Sequence, residues 1–414
     1  MFPLIPLGAA LLPLAAAWRS PFSHHDKSST PVAASWFAGW HANEGFPLSA
    51  VSWDKYTHIT YSFAETTADG GLTLNGSEPD LLPSFVKTAK EHDVKALVSV
   101  GGWSGSLWFS TAVGSSENRT AFVDTVNAFA EEYDLDGLDF DWEYPGNQGI
   151  GCNTISPNDT SNFLSFLQEL RATKQGSKLF LTAASSLLPW VDENGDASTN
   201  VTAFGDVLDY IAVMNYDIYG SWCDTAGPNA PLYSSCSTDN NQGSAELGIQ
   251  AWIDAGIPPN KLVLGVPAYG HSFSVAKKDA LDKKGKLSAY PAFNASYQPP
   301  GDKWDDASGP DACGVDQAAG GTFDIWGLVE AGFLNAFGEP AWGIKYEYDN
   351  CSQTPAVYNA TSEVWVSYEN ARSMRAKGEF IKDLGLRGFA MWEAGGDYKD
   401  ILLDAIRGPT MFRW

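Results

Sequence analysis

An α/β fold built on a parallel sheet is the class the sequence predicts, and three observations carry that prediction. Strand-like and helix-like stretches alternate from about residue 32 onward. Residues 94–101 form a near-continuous apolar run, as expected of a strand covered on both faces. The chain has 414 residues, more than one small domain needs but suited to one large α/β barrel with an insertion.

Taken in order, residues 32–39 read as the first strand and 57–64 as the second. A helix-spaced stretch at 81–92 leads into the third strand at 94–101. A helix at 117–133 feeds an acidic fourth strand, and a helix at 161–174 precedes the fifth, at 178–185. The sixth is expected at 209–217 and the seventh at 262–268, each with polar groups at its C-terminal end. Between Tyr269 and about Tyr358 the alternation stops, in a stretch rich in Gly, Pro, Asp and aromatics that is too long for a plain loop. A helix at 371–384, an eighth strand at 387–392 and a helix at 398–406 complete the pattern.

The fourth strand carries the chemistry. In a strand, side chains alternate between faces, so Leu138, Phe140 and Trp142 share one side while Asp139, Asp141 and Glu143 share the other. Carboxylates two residues apart stand roughly 7 Å apart along the strand. No Lys or Arg is interleaved. In a confined space like charges cannot all stay ionised, so at least one carboxyl pKa must rise, which suits a general acid. Trp142 and Tyr144 add dry surroundings, and Pro145-Gly146 leaves Glu143 at the strand's end. An ordinary core strand fits poorly, because Asp is depleted in strands and rarely buried unpaired. A hard-cation site fits on charge, but a linear row on one strand is a poor cage. Asp136 falls out of phase with the row, and a structural role at the barrel floor is expected for it.

At these residues the chain resembles the glycoside hydrolase family 18 chitinases, whose signature D-G-x-D-x-D-W-E-Y-P is matched from Asp136 to Pro145 without a substitution. Ser99-Val100-Gly101-Gly102 resembles the family's S-x-G-G motif, and Met214, Tyr216 and Asp217 match M-x-Y-D. Gly265 to His271 follows G-x-P-x-Y-G-R except at its end, where His271 replaces the common Arg and leaves that sugar contact open. The resemblance spans about residues 32–408 and implies a (β/α)8 TIM barrel, residues 32–271 and 359–408. It also implies a small α+β insertion between strand seven and helix seven, residues 272–358.

By the same resemblance, Glu143 is the proton donor, Asp141 supports the substrate's N-acetyl group, Asp139 tunes Asp141, and Tyr216 donates to the N-acetyl carbonyl. Trp392 is the implied floor under the sugar, lined by Asp217 and Tyr269. Met214, Trp142, Tyr144, Trp103, Gly102, Trp222 and Trp40 complete the expected substrate-binding set. The substrate so implied is chitin and chitin oligosaccharides, cleaved by a substrate-assisted route without metal or organic cofactor. Two alternatives stand beside it: a chitin-oligosaccharide-binding lectin or decoy without turnover, and an endo-β-N-acetylglucosaminidase acting on N-glycans.

Composition bounds the partners. A formal net charge of −24 disfavours nucleic acid and anionic membrane surfaces but not a neutral ligand. The 16 Trp supply faces on which sugar rings stack. A monomer is expected. Residues 1–17 read as a secretory signal with an Ala15-Ala16-Ala17 cleavage site, although no Lys or Arg precedes the apolar run; 18–31 reads as a mobile lead-in. Sequons at Asn75, Asn118, Asn158, Asn200, Asn294, Asn350 and Asn359 agree with a secreted, extracellular protein. Of five Cys, Cys223 is expected to pair with Cys236 and Cys313 with Cys351, leaving Cys152 free. No carbohydrate-binding module or linker is expected after the barrel.

Overall fold

The computed structural model of the chain describes residues 31–234 and 241–410. The expected signal segment, nearly all of the lead-in, and Cys236 lie outside the described residues. Eight parallel strands close on themselves: β1 Val32–Ala38, β2 His58–Thr66, β3 Lys95–Gly101, β4 Gly137–Asp141, β5 Phe180–Ser185, β6 Tyr210–Met214, β7 Leu262–Pro267 and, last in the chain, β13 Gly388–Trp392. Each pairs with its sequence neighbour, and β1 pairs with both β2 and β13, so no barrel edge is left open. This is a (β/α)8 TIM barrel.

Helices α1 Leu82–Glu91, α2 Ser116–Glu132, α3 Asp159–Ala172, α4 Thr202–Val207, α5 Ala245–Asp254, α6 Ala371–Leu384 and α7 Ile401–Thr410 follow the strands. Their starts follow local chemistry. The Ser115 hydroxyl accepts from the Asn118 amide at α2, and Ser244 does the same for Leu247 at α5. At α6, Asn370 and Ser373 form a reciprocal capping box, and Gly385 closes the helix in the left-handed conformation. One apolar layer lies between strands and helices, including Leu138, Phe140 and Trp142. A smaller one fills the barrel interior around Ala34, Trp36, Ala184, Tyr210 and Ala390.

Two residues beyond β7 the chain enters a second sheet. Its strands are β8 Tyr269–Ser274, β9 Thr322–Asp324, β10 Lys345–Asp349, β11 Thr354–Asn359 and β12 Val364–Ser367, all antiparallel neighbours in the order β9-β8-β12-β11-β10. This sheet is the insertion between strand seven and α6. It reaches past 272–358 at both ends, because Tyr269 to His271 are already paired with β9.

The cysteine pairing differs from expectation. Cys152, in the loop after β4, is bonded to Cys313, in the turn between the short paired strands Gly309–Pro310 and Asp316–Gln317. Cys351 is also disulfide-bonded, while Cys223 is a free, half-buried thiol. Sequence distance misled here: the bonded pair is 161 residues apart and meets only because barrel loop and insertion fold together.

Candidate active site

The period-two pattern of β4 sends its acids into the barrel. Asp139 is aligned with Ser99 on β3 and Thr182 on β5, so all three share one interior layer. Both of its oxygens are held there: Ser99 Oγ (2.8 Å) and Trp36 Nε1 (3.1 Å) donate to Oδ2, and Thr182 Oγ1 (2.6 Å) donates to Oδ1. Burial still raises its pKa, against those three bonds.

Asp141, one step higher, is 4% exposed. Its Oδ1 is buried with no hydrogen-bond partner among the described residues. Burial, then Glu143 and Asp139, push its pKa well above the usual carboxylate range. Glu143 follows at the strand's end and is half-buried. Burial among its neighbours, with Asp217 adding to it and Tyr144 opposing through a hydrogen bond, raises its carboxyl to about 7. Its backbone is clamped: Ser106 Oγ accepts from its amide (3.0 Å), and Asn153 Nδ2 donates to its carbonyl (3.0 Å).

β6 ends at Met214, three residues short of the expected boundary. The chain then turns, Asp217 taking a left-handed φ of 56° while its amide donates to Asn229 Oδ1 (2.8 Å). Tyr216 is brought within electrostatic reach of Asp141, Asp217 and Glu143, and burial followed by those charges raises its phenol well above the ordinary value. Asp217 Oδ1 accepts from Tyr269 (2.7 Å) and meets His271 Nε2 (2.7 Å). His271, at the position where Arg is common in the resembling family, thus contacts Asp217 directly.

The expected aromatic floor also assembles. Trp392 ends β13 and stacks on Phe63 (5.4 Å, 19°), with Trp36 at 6.1 Å and Trp40 at 6.4 Å. Met214 packs into the interior layer beneath it. Trp103 (50% exposed) and Trp222 (63%) stand out from the surface after β3 and β6, Trp222 edge-on to His271.

One expected substrate contact falls elsewhere. Trp142 is 1% exposed and packs on Phe109 and Phe163 in the outer layer, because alternation turns it away from the acids. Gly102 acts through its backbone: its amide donates to the Asp141 carbonyl (2.8 Å), φ is +81°, and an added Cβ would lie 2.9 Å from the Phe63 ring. Asp136 joins strand starts at the opposite end, through Lys95 Nζ (3.0 Å) and the Ala96 amide (3.0 Å). Sequence reading passed over His41 and Glu393, which meet at 2.6 Å beside the floor. Their one sequence signal was position, each following the end of a barrel strand.

The strand ends of this (β/α)8 barrel thus bring together a row of buried carboxyls, a raised acid and a cluster of aromatic rings. Residues 33–397 match the family described as glycosyl hydrolases family 18, and the chain belongs to that family. It is 51% identical over 385 residues to a chitinase-like effector of Moniliophthora roreri, covering 92% of this chain and 93% of that protein. It is 31% identical over 332 residues to Chitinase A1 of Niallia circulans, covering 77% of this chain and 43% of that protein. A crystal structure of a chitinase from Rhizomucor miehei superposes with a TM-score of 0.82 at 34% identity, covering 92% of this chain and 100% of that one.

Proposed function

We propose that the protein is a secreted chitinase that hydrolyses β-1,4 bonds between N-acetylglucosamine units with retention of configuration. The observation that carries this reading is the raised carboxyl of Glu143, half-buried at the strand end above the buried Oδ1 of Asp141, which has no partner among the described residues. A carboxyl near pKa 7 is protonated where it must donate, yet basic enough to take the proton back. Glu143 protonates the leaving oxygen. The substrate's own N-acetyl carbonyl attacks the anomeric carbon and closes an oxazolinium ring. Asp141 takes the N–H of that acetamide on its free oxygen and supports the charge, while the Tyr216 hydroxyl donates to the acetamide carbonyl. Asp139, buried and already holding three donors, acts through its charge on Asp141. Glu143 then deprotonates the water that opens the ring.

Six of the seven sequon asparagines are exposed, Asn359 being half-buried, and together with the Cys152–Cys313 bond they support a secretory route. A second reading, binding without turnover, is favoured by the relative named a chitinase-like effector. One experiment separates the readings: a chitin oligomer and an N-glycosylated protein are each incubated with the enzyme in the presence of EDTA, and early product is followed by NMR. Chitin-oligomer cleavage with the β-anomer appearing first is expected. An early α-anomer refutes the acetamide attack, cleavage of the glycoprotein alone makes the protein an endo-β-N-acetylglucosaminidase, and binding without product makes it a lectin.

A further inference from the structure

The ends of the first and last barrel strands are tied together by a relay that the acid row does not use. Trp40 Nε1 donates to His41 Nε2 (3.0 Å), His41 Nδ1 meets Glu393 Oε1 (2.6 Å), and Glu393 Oε2 accepts from the Ala38 amide (3.0 Å). An indole N–H only donates. His41 Nε2 is therefore an acceptor, Nδ1 carries the ring proton, and the relay needs neutral imidazole. The assembly is enclosed, with the side chains of His41 and Glu393 12% and 6% exposed. Trp304 of the insertion lies flat on the His41 ring at 3.9 Å and 9°. On its other side Trp40 stacks on Phe63 (6.1 Å, 25°) and stands 6.4 Å from Trp392.

We propose that His41 is a positioning residue for the sugar floor, holding Trp40 beside Trp392 only while its Nε2 is unprotonated. The inference rests on the reading of Trp392 as that floor. A proton on Nε2 would set N–H against N–H, so the Trp40 bond is lost while the contact with Glu393 remains. The groups facing the ring are Glu393 from the end of β13 and Asp302 and Asp306 from the insertion. Lys303 sits over the Trp326 and Trp304 rings. Acidification supplies the second proton that an imidazole can take. Trp40 then loses its anchor, and oligosaccharide binding weakens toward acid pH. The insertion takes part because Trp304 sets the plane of the ring.

The test measures binding of the N-acetylglucosamine tetramer by calorimetry in a Glu143→Gln background, which removes the titration of the acid itself. From about pH 7.5 to about pH 4.5 the parent should lose about fivefold to tenfold in affinity, the size of one hydrogen bond. His41→Gln should bind like the neutral parent across the range, since its amide oxygen can accept from Trp40 and its amide N–H can donate to Glu393. His41→Ala should bind weakly throughout. An acid loss in His41→Gln equal to the parent's, or parent-like affinity in His41→Ala, overturns the proposal. Turnover by the wild type is scored separately. If it is absent while the binding pattern holds, hydrolysis is refuted and the relay stands.

Discussion

At the N-terminal ends of the barrel strands, Arg171 divides its guanidinium among the carbonyls of Val207, Gly176 and Leu179 and the carboxylate of Asp209. Lys261 donates to the Gly205 and Leu208 carbonyls, and Lys95 pairs with Asp136. At the C-terminal ends stand Asp141, Glu143, Asp217 and Glu393, and among the described residues Asp141 Oδ1 is buried without a partner. One end uses its charges to close the backbone, and on the proposed function the other keeps them for a substrate. In a barrel this division has a physical basis: strand starts are sealed by short loops, whereas strand ends open onto the long ones that can enclose a substrate. Mutations at the two ends should therefore separate stability from activity.

Glu143→Gln should show the largest effect. The side chain keeps its shape and loses its proton, so turnover of chitin oligomers should fall about 10²- to 10⁴-fold with binding retained. Thermal stability should be unchanged or higher, because an expensive buried charge is removed. Turnover comparable to wild type would erase the difference between the two ends.

Arg171→Ala tests the other end. Removing five hydrogen bonds that join α3 to the starts of β5 and β6 should cost about 2–4 kcal/mol in urea unfolding, with kcat near wild type. A loss of kcat without a loss of stability would contradict the division.

The smallest effect is on the pH dependence of stability, where the two ends pull in opposite directions. At the active end, Glu143 at about 7 and Asp397 at about 6, both raised chiefly by burial, bind protons more tightly folded than unfolded. Their contribution is lost as pH rises from about 4 toward 7. At the closed end, burial, then Arg387 and Lys95, lower His58 to about 3, so it stays neutral while the unfolded chain takes up a proton. Its contribution is lost as pH falls below about 6.5. Thermal melts from about pH 4.5 to about pH 7.5 should show less loss toward neutrality in Glu143→Gln and less loss toward acid in His58→Gln. Identical slopes in both variants would show that neither end governs the dependence. With Glu143 as the proposed proton donor, the rate of hydrolysis should fall as pH rises through about 7, which a pH–rate profile checks.

The acid row was legible in the sequence because its cause is local. Strand alternation needs only residues 138–143 to place Asp139, Asp141 and Glu143 together inside, and the same rule, applied strictly, places Trp142 outside. The other seven strands were legible for a similar reason, since each is a short, largely apolar run with its own boundaries. What only the tertiary structure decided are meetings between distant segments. Cys152 finds Cys313 across 161 residues, and His41 finds Glu393 across 352. Asp217 gathers Tyr269 and His271 from a strand of the other sheet. Such pairings depend on how barrel closure and the insertion bring loop ends together, a geometry of the whole chain that no local periodicity encodes. The orphaned oxygen of Asp141 belongs with them. Whether a buried acid is satisfied depends on which donors the neighbouring strands present at its height, and β3 and β5 supply those to Asp139 alone.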